Sequence, residues 1–432
     1  MNGVYIHWLI ENFTQKNMKQ SNFFHIVLIS GSTMISGVIN YFYYPVMLKY
    51  LTLTEFGEFA SLVGVINILL IFLVGVSFFL TREYSKNIKD MRKVKAITYW
   101  TLPLLSLFGV LVYALYAAIS PIIQIFLKID EIWPVLLSGL VFPISAVSVI
   151  FTSLLRSLRK FTFISLTQLM NPVIKILVWF LLVYSGYKVM WGLGGLVVSS
   201  LIINIAGCIY VYRLLHGVEY HSERKWLFQV LSGADRSMLR FMFESALFTF
   251  FMNADVLIIK NLLSPEVAGI YAGISVVGKF VIFLTMSLET VYYGQIMEHT
   301  LESIPRKLIF EPLTIIISII IFSVIGMFIF WEYILYFMRP DLVGKWYLLV
   351  LVVVYSWLLS YVSLVAKVLI WWWILWINRI LSLWAICLIV SVYLIPFSNL
   401  ISYISILILP ISIIAVILSS MLWYHLMWKN KA

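Results

Sequence analysis

The sequence predicts an all-α integral membrane protein, about twelve transmembrane helices in two six-helix bundles with both termini inside, and three observations carry that reading. Of its 432 residues, 62% are hydrophobic and 11% charged, against about 25% charged in an ordinary soluble domain, and the mean hydropathy is +1.01. Apolar runs of about 20 residues, long enough to cross the hydrocarbon layer as helices, recur along the whole chain. Lysine and arginine gather in alternate connections between those runs, as cytoplasmic loops require.

The first run, 24–46, follows Lys16 and Lys19. The residues before it mix Glu11 with those lysines and hold only a short apolar stretch, so no cleavable signal pattern is present and the first span serves as its own signal. Met18 stands just ahead of it, and residues 1–17 read as an upstream extension. The second run, 59–80, lies between Glu58 and Arg82, and the third, 97–119, follows a basic connection holding Lys86, Lys89, Arg92, Lys93 and Lys95. Runs 134–155 and 161–184 flank Arg156, Arg159 and Lys160, and 190–213 ends at Arg213. Then come 239–262, 268–292 and 308–331, the last preceded by Arg306 and Lys307. Runs 346–366, 380–397 and 400–426 complete the set, with Lys367, Trp371, Trp372, Trp373 and Trp376 read as an interfacial belt between the first two of these.

With the N-terminus inside, most of the 30 lysines and arginines fall on the inner side; the outer connections hold Lys49, Lys128, Lys188, Lys260, Arg339 and Lys345. The net charge of +11 is therefore cytoplasmic, membrane-facing charge rather than a nucleic-acid surface. Cys208 and Cys387 both lie within apolar runs, which argues against a disulfide or a thiolate metal site. The histidines lack paired ligand spacing and no phosphate-binding glycine loop is present, so no cofactor and no ATP-driven step are expected.

The chain repeats itself. Leu48–Ala60, L-K-Y-L-T-L-T-E-F-G-E-F-A, aligns with Ile259–Ala272, I-K-N-L-L-S-P-E-V-A-G-I-Y-A, matching Lys49 to Lys260, Leu51 to Leu262, Glu55 to Glu266 and, after one inserted residue, Gly57 to Gly269. An even number of spans separates the copies, so both face the same side and the repeat is parallel. The expected division is a cytoplasmic segment 1–20, a bundle 21–215, a cytoplasmic linker 216–237 and a second bundle 238–432.

The segments Tyr44–Ala60, Leu80–Lys86 and Asn253–Ala272 resemble the Wzx-type O-antigen and polysaccharide flippases of the multidrug/oligosaccharidyl-lipid/polysaccharide exporter superfamily. The resemblance runs from about Ser21 onward and is most specific in those segments. It implies a central cavity between the bundles, alternating access without ATP hydrolysis, and residence in the bacterial inner membrane. The cargo it implies is an undecaprenyl-pyrophosphate-linked oligosaccharide, with a polysaccharide polymerase and a chain-length regulator as further partners beside the bilayer. A diphosphate crossing a low-dielectric layer needs fixed cations. Lys175, a turn after Asn171 and Pro172, and Lys279 both lie deep in apolar runs, one in each half; with Arg82 and Asn171 they are the candidate diphosphate and cavity residues. Asp255 is expected to pair with Lys279, to titrate and couple transport to protons or sodium ions, or to make a structural hydrogen bond at the helix end helped by Asn253, and Glu244 is a candidate on the cytoplasmic gate. A multidrug or small-solute exporter of the same superfamily is the alternative, and a membrane polymerase or glycosyltransferase a weaker one, because no paired acids stand out on the outer connections.

Overall fold

The computed structural model describes residues 31–182, 188–219, 236–297, 307–394 and 400–428, and among these it is helical throughout with no strand. Helix α1 covers residues 31–50. It is followed by α2 (Leu53–Asn87), α3 (Met91–Leu127), α4 (Ile132–Gly139), α5 (Val141–Ser157), α6 (Phe161–Leu182) and α7 (Lys188–Leu215). The later chain forms α8 (Arg236–Leu262), α9 (Pro265–Met297), α10 (Lys307–Met338), a 3-10 turn Pro340–Lys345, α11 (Trp346–Leu394) and α12 (Leu400–Trp428). Ten stretches among the described residues are long and apolar enough to cross a membrane. The N-terminal segment and most of the linker lie outside the described residues.

Local chemistry sets the helix ends. Thr52 and Glu55 form a capping box at the start of α2: the Thr52 hydroxyl accepts from the Glu55 N–H at 3.2 Å and the Glu55 carboxylate from the Thr52 N–H at 2.7 Å. Asp90 caps α3 by accepting from the N–H groups of Arg92 and Lys93. The copy of the Thr52 turn in the second half begins its helix with Pro265 at the first position, where the missing N–H costs nothing.

Two boundaries differ from the sequence reading. The span expected at 134–155 is split between α4 and α5, because Pro143 has no N–H to offer the Gly139 carbonyl. Gly139 also lies against Tyr116, where an added Cβ would sit 2.3 Å from its ring. The spans expected at 346–366 and 380–397 are one helix of 49 residues, so the belt at Trp371–Trp376 does not interrupt the backbone. No glycine or proline occurs between Trp346 and Leu394 to end it.

Helix α2 is central. It packs along α5 within the first half and along α8 and α9 of the second, while α9 and α8 in turn pack on α11, and α11 on α12. The twin glycines of the repeat meet where α2 and α9 cross: a Cβ on Gly57 would lie 3.1 Å from the Gly269 backbone nitrogen, and one on Gly269 would lie 1.8 Å from the Leu53 carbonyl oxygen. Small residues allow this backbone approach, which is the means by which helices associate in lipid. The outward faces remain apolar. Ile122 and Ile125 on α3 and Phe322 and Phe328 on α10 are exposed, as lipid-facing side chains should be.

Candidate functional site

A cavity of about 300 Å³ lies between α1, α2, α8 and α9. Its lining residues on α8, Thr249 to Val256, sit roughly 10–20 Å along the helix from Leu262 at 1.5 Å per residue. That depth is the middle of a hydrocarbon layer about 30 Å thick. The polar groups facing the cavity come from Tyr41, Tyr44, Asn67, Thr249, Asn253 and Ser275, together with Lys279. The Asn67 amide donates to Asn253 Oδ1 at 3.1 Å, which joins α2 to α8, and Asn253 donates on to the Thr249 carbonyl at 2.8 Å. Ser275 Oγ is buried with no hydrogen-bond partner among the described residues. Pro45 lies within α1 and has no N–H, so the Tyr41 carbonyl lacks its intrahelical donor beside the cavity.

Asp255 and Lys279 form one buried unit. Lys279 Nζ lies 2.7 Å from Asp255 Oδ2 and 2.8 Å from Oδ1, and it also donates to the Met252 carbonyl at 2.7 Å. The Tyr271 hydroxyl donates to Asp255 Oδ2 at 2.6 Å. Asp255 is 1% exposed and Lys279 8%. The expected pairing is therefore present in the structure, and Tyr271 is its third member. The lysine at the cavity wall is not a free cation: its charge is met by the carboxylate behind it.

Lys175 is placed elsewhere. Its ammonium donates to Asn40 Oδ1 and lies 4.1 Å from the Tyr43 ring centre, on a face of α1 adjacent to the one that bears Tyr41 and Tyr44. Tyr43 is itself fixed by donating to the Gly192 carbonyl at 2.8 Å. No carboxylate contacts Lys175 among the described residues. Asn171 is half-buried on α6, and Pro172 does not open that helix; the Gln168 carbonyl that the proline leaves without its donor accepts from the Ser36 hydroxyl at 2.8 Å. Arg82 is exposed, roughly two turns beyond Val74, where the cavity lining of α2 ends. The structure thus brings Lys279, Asp255 and Asn253 together and leaves Lys175, Asn171 and Arg82 off the cavity wall. Glu244 lies on α8, and its side chain is outside the described residues.

A family model described as polysaccharide biosynthesis protein matches residues 20–293. The chain belongs to this family. Its fold is that of the MATE transporters. A crystal structure of MATE in complex with MaL6 matches with a TM-score of 0.67 at 11% identity, covering 94% of this chain and 97% of the other. A multidrug resistance MATE family transporter of the MOP superfamily matches in an outward-facing conformation, with a TM-score of 0.65 at 12% identity, 94% of this chain and 96% of the other being covered. An inward-facing conformation matches with a TM-score of 0.61 at 12% identity and the same coverage. A comparison with curated proteins gave no match. This polysaccharide biosynthesis family member is a multi-pass membrane protein with a transporter fold.

Sequence reasoning passed over Asn67, Tyr271, Ser275 and Tyr41. Asn67 carried a readable signal, a lone amide in the apolar run 59–80, equivalent in kind to Asn253 in its own run. Tyr271 was visible as the partner of Phe59 in the repeat, but nothing in the sequence distinguishes a tyrosine aimed at a buried acid from one at an interface.

Proposed function

We propose that the chain is a flippase that moves an undecaprenyl-pyrophosphate-linked oligosaccharide from the inner to the outer leaflet of a bacterial plasma membrane. The cargo passes between two six-helix bundles by alternating access, and the sugar portion enters the cavity between α1, α2, α8 and α9. One observation carries the choice of cargo: the cavity presents amides, hydroxyls and tyrosines, and its ionic group is already internally neutralised. Asn67, Asn253 and Ser275 both donate and accept, which suits sugar hydroxyls. Tyr41 and Tyr44 supply apolar ring faces with polar tips.

An exporter of cationic drugs is the second reading, favoured by the MATE neighbours. It needs a carboxylate exposed to cargo, whereas Asp255 is enclosed by Lys279 and Tyr271. Asp255 is the residue assigned to coupling with a proton or sodium ion, and its contact with Lys279 at the cavity wall would pass that event to the cargo site.

The test is complementation in two strains. The gene should restore surface polysaccharide to cells that lack their own flippase, and should leave unchanged the drug tolerance of cells that lack their multidrug exporters. The opposite pattern would overturn the assignment of cargo.

A further inference from the structure

The repeat extends to a second pair of segments. Phe126-Leu-Lys-Ile-Asp130, at the end of α3, aligns with Phe337-Met-Arg-Pro-Asp341, at the end of α10, with the same spacing along the chain that separates Lys49 from Lys260. Lys128 corresponds to Arg339, and both sit where a helix stops. Lys128 adopts the left-handed conformation (φ 51°), and its N–H closes α3 onto the carbonyls of Gln124 and Ile125. Arg339 is the cap of the turn Pro340–Lys345, its guanidinium held by Asp341 at 3.1 Å.

Each of these ends reaches across to the other half. Arg339 Nη1 donates at 2.9 Å to the carbonyl of Leu51, in the turn between α1 and α2, and Lys49 from that turn places its ammonium 4.5 Å from the Phe337 ring centre. In the reciprocal direction Lys128 Nζ donates at 3.5 Å to the carbonyl of Leu263, in the turn between α8 and α9, and the Asn261 amide of that turn donates at 2.7 Å to the Phe126 carbonyl. The corresponding cations Lys128 and Arg339 each donate to a backbone carbonyl of the turn in the opposite half. The corresponding Phe126 and Phe337 are each touched from that turn, one through its carbonyl and the other through its ring. Leu51 and Leu263 stand one position apart in the alignment. The twin glycines Gly57 and Gly269 meet at the crossing of α2 and α9.

We propose that these reciprocal contacts are a pair of latches that hold shut the face bearing the α1–α2 and α8–α9 turns, and that both must release for the cavity to open there. The contacts suit reversible use. They are cation-to-carbonyl and amide-to-carbonyl bonds at helix ends, where departing carbonyls can be taken up by water, and losing one leaves the other to restore alignment. Deeper cross-half contacts, Asn67 with Asn253 and Tyr41 with Phe280, lie at the cavity itself, so opening this face means parting the latches first. The proposal rests on the alternating-access part of the functional reading and is independent of which cargo is carried.

The experiment reads accessibility rather than transport. In a background without Cys208 and Cys387, Asp341→Cys marks which side of sealed vesicles is the latch face, and Asn67→Cys reports the cavity to a membrane-impermeant thiol reagent applied from that side. Combining Lys128→Ala with Arg339→Ala should raise cavity labelling from the latch face by on the order of tenfold, as expected when contacts worth about 1.4 kcal/mol to one of two states are removed. Each single variant should give a smaller rise, and Arg339→Lys should stay near the parent. A second measurement does not depend on weakening the fold: linking Lys128→Cys to Leu263→Cys with a flexible, reducible bifunctional thiol reagent should suppress that labelling and, in the chain that keeps Asn67, stop turnover, and reduction should restore both. Unchanged labelling in the double variant, or full labelling and turnover with the link in place, would overturn the proposal.

Discussion

Asp255 is 1% exposed, and truncating Lys279 to alanine leaves it the Tyr271 hydroxyl as its remaining side-chain donor. A buried charge stripped of its partner costs about 3–5 kcal/mol. With about 2.1 cal/mol/K of unfolding entropy per residue over 432 residues, each kcal/mol is worth about 1 °C, so the melting temperature should fall by roughly 3–6 °C. Tyr271→Phe removes a hydroxyl donor and leaves the ion pair, so it should cost about 1–2 kcal/mol, in the range of hydrogen bonds to charged groups and of interhelical bonds in membranes. The combination of Asp255→Asn with Lys279→Met removes both charges and should recover most of the loss, because a buried pair replaced as a unit is often neutral. Unfolding followed by fluorescence-detected size exclusion in detergent measures all three. If the losses from Asp255→Asn and Lys279→Met simply add in the double variant, the two residues do not act as one unit and the reasoning fails.

Further expectations follow from the same geometry. Gly269→Ala drives a Cβ into the Leu53 carbonyl, a backbone group that cannot rotate away, so it should destabilise by at least the roughly 1–3 kcal/mol of an overpacked site, measured as a lower melting temperature; Gly57→Ala, with 3.1 Å to its nearest neighbour, should cost less. Asn67→Ala and Asn253→Ala should each cost about 0.6 kcal/mol in stability, the mean for such interhelical bonds, yet impair transport of lipid-linked oligosaccharide by far more than stability. Equal loss of both would make the amide pair structural. Lys175→Met should leave thermal stability within about 1 kcal/mol of the parent, since the lost hydrogen bond to Asn40 is offset by relief from burying an ammonium. A large drop would show that Lys175 has a charged partner the described residues do not include.

The all-helical class and most span positions were legible because spans are set by runs of composition. Breaks were less so. Pro143 is as visible in the sequence as Pro103, Pro121, Pro172 and Pro410, yet only at Pro143 does a helix boundary fall within the preceding turn, and the residue pattern alone does not separate these cases. The buried charges were legible as charges, but the pairing of Asp255 with Lys279 was one of several readings open to the sequence, and the contact itself is seen only in the structure. What could not be read is rotation about the helix axis. Lys175 and Lys279 have similar depths, yet one faces Asn40 and Tyr43 while the other reaches the cavity wall, and only packing decides that. The repeat is plain around Lys49 and Lys260 and less so at Phe126–Asp130, where Leu, Lys and Ile give way to Met, Arg and Pro in the second copy.

The central claim is that the cavity carries a lipid-linked sugar across the bilayer. Its most direct test is a flipping assay in proteoliposomes containing purified protein and an undecaprenyl-pyrophosphate oligosaccharide placed on one leaflet, with access to an impermeant sugar-modifying enzyme as the readout. The account predicts transfer to the opposite leaflet that depends on a proton or sodium gradient and is lost in Asp255→Asn. No transfer by the parent protein under either gradient, with cationic dyes moved instead, would contradict it.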